Sequence, residues 1–108
     1  MKAFELDDLL WQQKTERRAY LEFVRQSSMS VGLYTLPAGG VDRQKPHTED
    51  EMYYVIRGRG VINVAGDDRT VQAGSAVFIA AGVEYFFHVV EEELVILVFF
   101  APAEGTAK

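Results

Sequence analysis

The chain has 108 residues, a formal net charge of −5 and no cysteine. This length predicts one domain, and the acidic balance leaves no basic surface for nucleic acid or an anionic membrane. The absence of cysteine excludes disulfides, thiolate zinc sites, iron–sulfur clusters and cysteine nucleophiles. The longest apolar run, residues 94–101, is far shorter than the roughly 20 residues of a membrane-spanning helix.

The N-terminal segment predicts a short helix over residues 5–13. Leu6, Leu9 and Leu10 recur at helical spacing, and acidic residues early in this segment suit the positive end of a helix dipole. The same acidic residues precede any apolar core, which argues against a secretory signal, so we expect a soluble cytoplasmic protein. Residues 15–18 are polar and predict a connector, so that residues 1–18 form a helix and its connector.

From residue 20 onward the hydrophobic period becomes that of β-strands. Apolar and polar residues alternate over two segments, and further short strands are predicted beyond them; the predicted strands are residues 20–25, 29–36, 52–56, 61–65, 69–72, 76–80, 85–90 and 94–100. Turns rich in glycine or acidic residues separate them, at 57–60, 66–68, 73–75, 81–82 and 91–93. Short strands at regular spacing predict an all-β sandwich or barrel over residues 19–101.

Two consequences follow for the ends of this domain. The last two strands are apolar on both faces, so one face can fill a barrel while the other meets a second sheet or another subunit. This pattern favours a homodimer. Residues 102–108 are small and polar, which predicts a frayed segment.

In two stretches of the chain, glycines lie at fixed distances from ionisable side chains. The first reads Gly39, five residues, Lys45, Pro46, His47, three residues, Glu51, six residues, Gly58. The second begins at Gly74 and passes through Ala80, Ala81 and Gly82 to Tyr85. Together they resemble the two conserved motifs of the cupins, in their small single-domain form. The resemblance covers residues 20–100 and implies a jelly-roll β-barrel, in agreement with the strand pattern.

The resemblance also implies a metal site, of which this chain keeps only part. Cupins hold a metal with two histidines and a glutamate of the first motif and a histidine of the second. His47 and Glu51 match the second histidine and the glutamate, whereas Lys45 and Tyr85 replace the other two histidines. The resemblance therefore implies one divalent ion, Zn, Fe, Mn or Ni, on His47 and Glu51. Gln44 or Tyr85 would complete the shell.

The remaining histidine and the aromatic residues have plainer interpretations. Strict alternation points His88 to the face opposite Tyr85, so it is a less favoured ligand. Aromatic side chains are predicted to line the core and the mouth of the barrel; they are Tyr34, Tyr53, Phe78 and Phe87. Glu49 and Asp50 are predicted to be surface residues of a loop.

Two functions remain open on the sequence alone. In the first, the chain is a metal-dependent enzyme of the dioxygenase or isomerase type acting on a small organic molecule. In the second, it is a metal-free module for a small-molecule ligand, in which a Lys45–Glu51–Tyr85 polar cluster takes the place of the metal. A metal-free isomerase or epimerase is a variant of the second, with His47 or Tyr85 as acid or base.

Overall fold

The computed structural model describes residues 1–42 and 45–107. These residues form one helix and six strands, namely α1 (Leu6–Glu16), β1 (Tyr20–Arg25), β2 (Ser30–Leu36), β3 (Asp50–Val64), β4 (Asp67–Gln72), β5 (Ala76–Ile79) and β6 (Tyr85–Ala101). All strand pairs are antiparallel. The strands follow the order β1-β2-β6-β3-β4, with β5 paired to β3. The predicted all-β jelly-roll barrel with a short N-terminal helix is confirmed.

The two longest strands, β3 and β6, pair along most of their lengths and form the spine of the barrel. The turns predicted at residues 57–60 and 91–93 are wrong, because both stretches lie inside these strands. The pairing shifts register between Val55 and Val61 instead of stopping. Gly58 lies in this irregular stretch with φ +98°, and a Cβ there would be 2.0 Å from the carbonyl oxygen of Glu93. Glycine therefore lets the strand bend here without a turn.

Helix α1 covers part of the outer face of the sheet. Leu9 of the helix packs with Leu21, Leu33 and Val95 in a second apolar cluster outside the barrel. The buried Gln13 amide donates to the carbonyls of Ala19 and Leu33, at 2.8 and 3.1 Å. These contacts extend the helix to Glu16, beyond the predicted limit at residue 13, and they cover some of the second apolar face that the sequence left for another subunit.

Outer-face residues away from the helix stay exposed. Met52, Tyr54 and Phe78 are 39, 44 and 58% exposed on neighbouring strands β3 and β5. No helix in residues 1–42 or 45–107 is long and apolar enough to cross a membrane.

The segment after β6, predicted to be frayed, makes several contacts with the barrel over residues 103–107. Ala103 is 1% exposed. The carboxylate of Glu49 accepts the backbone N–H of Gly105 at 2.9 Å and of Ala107 at 3.0 Å, and it also accepts the Thr48 hydroxyl. Glu49 is itself 2% exposed, so its prediction as a surface residue is wrong. The contacts with Gly105 and Ala107 join residues 56 and 58 positions apart, which is why local composition did not indicate them.

Candidate functional site

The first half of β3 aims alternate side chains into the barrel. Glu51, Tyr53 and Val55 are buried, whereas Met52 and Tyr54 between them are exposed. This is the period of two that a half-buried strand requires. The strand thereby carries a carboxylate and a phenol into an interior built mainly from Val, Leu, Ile and Phe.

His47 lies just before β3 and faces Glu51. Its Nδ1 is 3.4 Å from Glu51 Oε1 and 2.8 Å from the Tyr85 hydroxyl. The ring also lies against Phe100, with centroids 4.7 Å apart. The backbone carbonyl of His47 accepts the N–H of Gly82 at 2.8 Å, which fixes the loop. Residues from both motifs and from β6 thus meet at one imidazole.

Glu104, from the segment after β6, lies on the other side of this imidazole. Its Oε2 is 2.9 Å from His47 Nε2. Because a carboxylate accepts and does not donate, Nε2 carries the hydrogen in either protonation state of the ring. In the neutral ring, Nδ1 therefore presents its lone pair to the Tyr85 hydroxyl, which can donate to it. In the protonated ring, Nδ1–H faces the oxygens of Tyr85 and Glu51.

The two carboxylates favour the protonated imidazole. The hydrogen bond to Glu51 is the largest influence and raises the pKa of His47 above 6.5. Burial acts in the opposite direction, and the hydrogen bond to Glu51 together with the charges of Glu51 and Glu104 outweighs it. The two acids therefore favour the protonated form of His47.

The phenols of the site stay protonated. Burial, followed by the nearby Tyr85 and Glu51, raises the pKa of Tyr53 well above 10.0. Burial also raises the pKa of Tyr85, and Glu51 and Asp42 add to that effect while contact with Tyr53 opposes it. Both hydroxyls are therefore hydrogen-bond donors rather than phenolates at any ordinary pH.

Three buried polar atoms in this region lack a hydrogen-bond partner in good geometry, although Tyr53 lies near enough to Tyr85 and Glu51 to interact with both. They are the hydroxyls of Tyr20 and Tyr53 and Oε2 of Glu51, and they are the only such side-chain atoms in the described part of the chain. Nearby Glu51 contributes to the raised pKa of both tyrosines, so the three residues lie close enough to interact. Buried polar groups are normally paired. The interior therefore holds one carboxylate oxygen and two phenol groups whose hydrogen-bonding capacity is not fully used.

A cavity of about 410 Å³ lies on the Tyr85 side of the cluster. Its wall includes Asp42, Lys45, Asn63 and Glu84 together with Tyr85. Asp42 is buried, and its carboxylate accepts the N–H of Phe87 at 2.9 Å and the hydroxyl of Tyr34 at 3.0 Å. These hydrogen bonds position the Asp42 carboxylate in the cavity wall that also includes Tyr85.

The structure changes the membership of the predicted polar cluster. Lys45 is exposed and lines the cavity, and the ion-pair partner of Glu51 is His47. The predicted Lys45–Glu51–Tyr85 cluster is therefore replaced by His47, Glu51 and Tyr85, with Tyr53 beside them. Gln44, the other proposed ligand, lies outside the described residues.

The remaining predicted residues divide between the interior and the surface. Tyr53 and Phe87 are buried with ring centroids 5.4 Å apart, and Tyr34 packs against the same interior cluster. Phe78 points outward and does not line the interior, because it lies on the opposite face of β5 from the buried Ile79. His88 lies at the surface, where its Nε2 is 3.0 Å from Asp68 Oδ1.

Sequence reasoning missed Tyr20, Asp42 and Glu104. Tyr20 begins β1, and its ring covers Gly32, where a Cβ would meet the ring at 2.2 Å. A glycine on the neighbouring strand, which leaves room for an inward aromatic ring, is the only local signal for Tyr20, and it is weak. No motif marks Asp42 or Glu104, since their partners lie 45 and 57 residues away.

Comparison with known proteins decides the family. A family model of the cupin domain matches residues 32–100, which is more than half of the chain. The chain belongs to the cupin family. Its Gly58, Gly74 and Gly82 all have positive φ, as the turns and bends of this cupin's two motifs require.

Relatives of this cupin are found by sequence and by structure. An uncharacterised protein of Streptomyces coelicolor is 48% identical over 105 residues, covering 97% of this chain and all of the relative. The structure of TT1209 from Thermus thermophilus matches with a TM-score of 0.80 and 25% identity, over 95% of this chain and 99% of that one. KdgF from Halomonas matches with a TM-score of 0.71 and 17% identity, over 77% and 76%.

The described residues do not fit the metal site that cupins use. They contain no group of three or more His, Asp or Glu side chains placed to hold a metal ion. The two carboxylates near His47 lie at opposite ring nitrogens, so they cannot both share a metal with that ring. Tyr85 is a neutral phenol, and Lys45 is an exposed cation. One imidazole nitrogen and one carboxylate are too few for a stable site.

Proposed function

We propose that this cupin binds a small polar organic molecule without a metal, at the cluster of His47, Glu51, Tyr53 and Tyr85. The observation that carries the proposal is the pair of unpartnered atoms, Glu51 Oε2 and the Tyr53 hydroxyl, on side chains that are 3 and 1% exposed. A buried acceptor and a buried donor without partners destabilise the empty barrel. A guest that carries a hydroxyl group relieves both, because a hydroxyl donates and accepts.

The test begins with metal content. Protein purified without an affinity tag is analysed by inductively coupled plasma mass spectrometry as the wild type, His47→Ala and His88→Ala. His88 is the matched control, because it is the other histidine of the chain and lies at the surface. We expect substoichiometric metal in all three proteins. Stoichiometric metal that is lost in His47→Ala and kept in His88→Ala would overturn the proposal.

Binding is then tested with glycerol, a neutral polyol that donates and accepts hydrogen bonds. NMR spectra of the wild type and Glu51→Gln are recorded during a glycerol titration, and the tyrosine ring signals report on the interior. We expect concentration-dependent shifts of Tyr53 in the wild type that weaken in Glu51→Gln. Shifts confined to surface residues, or identical in the two proteins, would contradict an interior polar site.

A second candidate function is proton transfer on the bound molecule, as in a metal-free isomerase or epimerase. The observation that favours it is the 2.8 Å contact between the Tyr85 hydroxyl and His47 Nδ1. Because the carboxylates raise the pKa of His47 and Tyr85 lines the cavity, the pair can pass a proton to a ligand through the phenol or receive one through it. Incubation of small hydroxy and keto acids in D₂O, followed by proton NMR, tests for exchange. Exchange that survives Tyr85→Phe unchanged would exclude this function.

We also propose that the chain forms a homodimer through the exposed outer face at Met52, Tyr54 and Phe78. Three large apolar side chains on adjacent strands favour burial against a second copy. Sedimentation equilibrium of the wild type and Phe78→Asp tests the proposal. A monomer at all concentrations in the wild type would contradict it.

A further inference from the structure

The backbone of Glu104 is fastened at both of its polar groups. Its N–H donates to the hydroxyl of Ser30 at 2.9 Å, and its carbonyl accepts from Arg25 Nη2 at 2.8 Å. Ser30 is fully buried, and the following residues, Gly105 and Ala107, donate to the buried Glu49. The side chain of Glu104 can therefore rotate away from His47 while the segment that carries it remains attached.

The contact between Glu104 and His47 lies between solvent and the buried cluster. The side chains of Glu104 and His47 are 34 and 19% exposed, whereas the side chain of Glu51 is 1% exposed. Rotation of Glu104 would uncover Nε2 of His47 and expose a hydrogen-bond donor to incoming molecules. Glu104 thus covers Nε2 of His47 at the outer side of the site.

We propose that a small carboxylic acid displaces Glu104, so that the ligand's own carboxylate binds His47 Nε2 in its place. The inference deepens the proposed function and rests on it, since it assigns the class of ligand that the metal-free cluster takes. The Glu104 carboxylate already binds Nε2 at 2.9 Å, so this position suits a carboxylate in both charge and hydrogen-bond geometry. Hydrogen bonds between a cationic donor and a carboxylate are among the strongest in proteins.

The charges around His47 support an exchange of one carboxylate for another. Glu51 neutralises the imidazolium from the inner side. A ligand carboxylate that arrived while Glu104 stayed in place would add a second negative charge at Nε2, whereas replacement keeps the local charge constant. Arg25, which holds the Glu104 carbonyl and pairs with Glu22 at 2.7 Å, adds a cation on the same side.

The test compares acetate with acetamide, its neutral isostere, in the wild type, Glu104→Gln and Glu92→Gln. Glu104→Gln removes the internal carboxylate and leaves the backbone anchors of the segment intact. Glu92→Gln makes the same change of net charge at an exposed position of β6. Binding is followed by the ¹⁵N and ¹H signals of the His47 ring. A charged hydrogen bond of about 1.5 kcal/mol corresponds to about tenfold in affinity, so we expect acetate to bind Glu104→Gln about tenfold more tightly than the wild type.

Acetamide should gain no more than about twofold in Glu104→Gln, because it lacks the charge that His47 selects. Glu92→Gln should match the wild type. Equal affinity of acetate for the wild type and Glu104→Gln, or an equal gain for acetamide, would overturn the inference. Glycerol titration of the same samples distinguishes failure of this inference from failure of the proposed function. The NMR shifts of Tyr53 report on binding at the interior cluster whether or not acetate binds at His47.

Discussion

The carboxylate of Glu49 accepts the backbone N–H of Ala107 at 3.0 Å, across 58 residues of chain. The same carboxylate accepts the N–H of Gly105, so a buried acid next to the first motif fastens the segment that carries Glu104. Packing at the end of the barrel is therefore linked to the hydrogen bonds of His47. The candidate site therefore includes a residue, Glu104, whose segment is held by its contact with Glu49.

Glu49→Ala is expected to destabilise the protein by about 1–3 kcal/mol, because it removes the acceptor of two backbone N–H groups. Urea unfolding followed by circular dichroism measures the change. Glu92→Ala, at an exposed position, should stay within about 0.5 kcal/mol of the wild type. Equal effects of the two substitutions would show that the contact of Glu49 with residues 105–107 adds nothing to stability.

Stability should fall as the pH rises through the titration of His47. The hydrogen bond to Glu51, with the charges of both carboxylates, raises the pKa of His47 in the folded state above 6.5. The folded state therefore binds the proton more tightly than the unfolded chain, so this contribution is fully present below pH 6.5 and is lost as the pH rises through the raised value. Urea unfolding over a pH series measures the slope. His47→Gln should flatten the slope of stability against pH, whereas His88→Gln should retain it. If the slope persists in His47→Gln, the titration belongs to another group.

Gly58→Ala should be much more harmful than Gly74→Ala. The two glycines have φ of +98° and +93°, so the backbone strain of a side chain is nearly the same. A Cβ at Gly58 would clash with the Glu93 carbonyl oxygen at 2.0 Å, whereas a Cβ at Gly74 meets nothing within 4 Å. We expect a loss of about 1 kcal/mol for Gly74→Ala and at least twice that for Gly58→Ala. Thermal unfolding measures the stability of both variants. Equal losses of stability would mean that β3 and β6 move apart at Gly58 without a further cost.

Tyr53→Phe and Tyr34→Phe should change stability in opposite directions. The Tyr53 hydroxyl is buried without a partner, so its removal should stabilise the empty protein by about 1 kcal/mol. The Tyr34 hydroxyl donates to Asp42 at 3.0 Å, so its removal should destabilise by a similar amount. Chemical denaturation measures both. A loss of stability in Tyr53→Phe would mean that its hydroxyl is satisfied in solution without a ligand.

Much of the candidate site could be predicted from local pattern. Glu51 and Tyr53 are two residues apart on a strand, so alternation alone places them on one face. The same alternation separates Tyr85 from His88, and the structure places His88 at the surface beside Asp68. These predictions depend on the backbone of a single strand, which the sequence period reports directly.

Other features depend on contacts that no local pattern reports. Residues 57–60 and 91–93 have the composition of turns, yet they lie in strands because β3 and β6 pair through them. Glu49 belongs to an acidic run typical of a surface loop, yet it is buried because two distant N–H groups need an acceptor. Lys45 has the spacing of a ligand, yet it lies exposed at the cavity wall and His47 takes the ion pair with Glu51.

The sequence by itself determined the all-β class, the cupin motifs and the inward direction of Glu51, because strand period and glycine spacing are local properties of the chain. Only the tertiary structure decided which groups surround His47. Tyr85 and Glu104 reach it from 38 and 57 residues away. Glu104 follows the end of β6 at which Ala101 pairs with Asp50, close to the loop of His47. Tyr85 begins β6 opposite Val64, at the far end of β3, and contacts His47 from the buried interior of the barrel. The donor set of the site is thus a product of tertiary packing rather than of motif spacing.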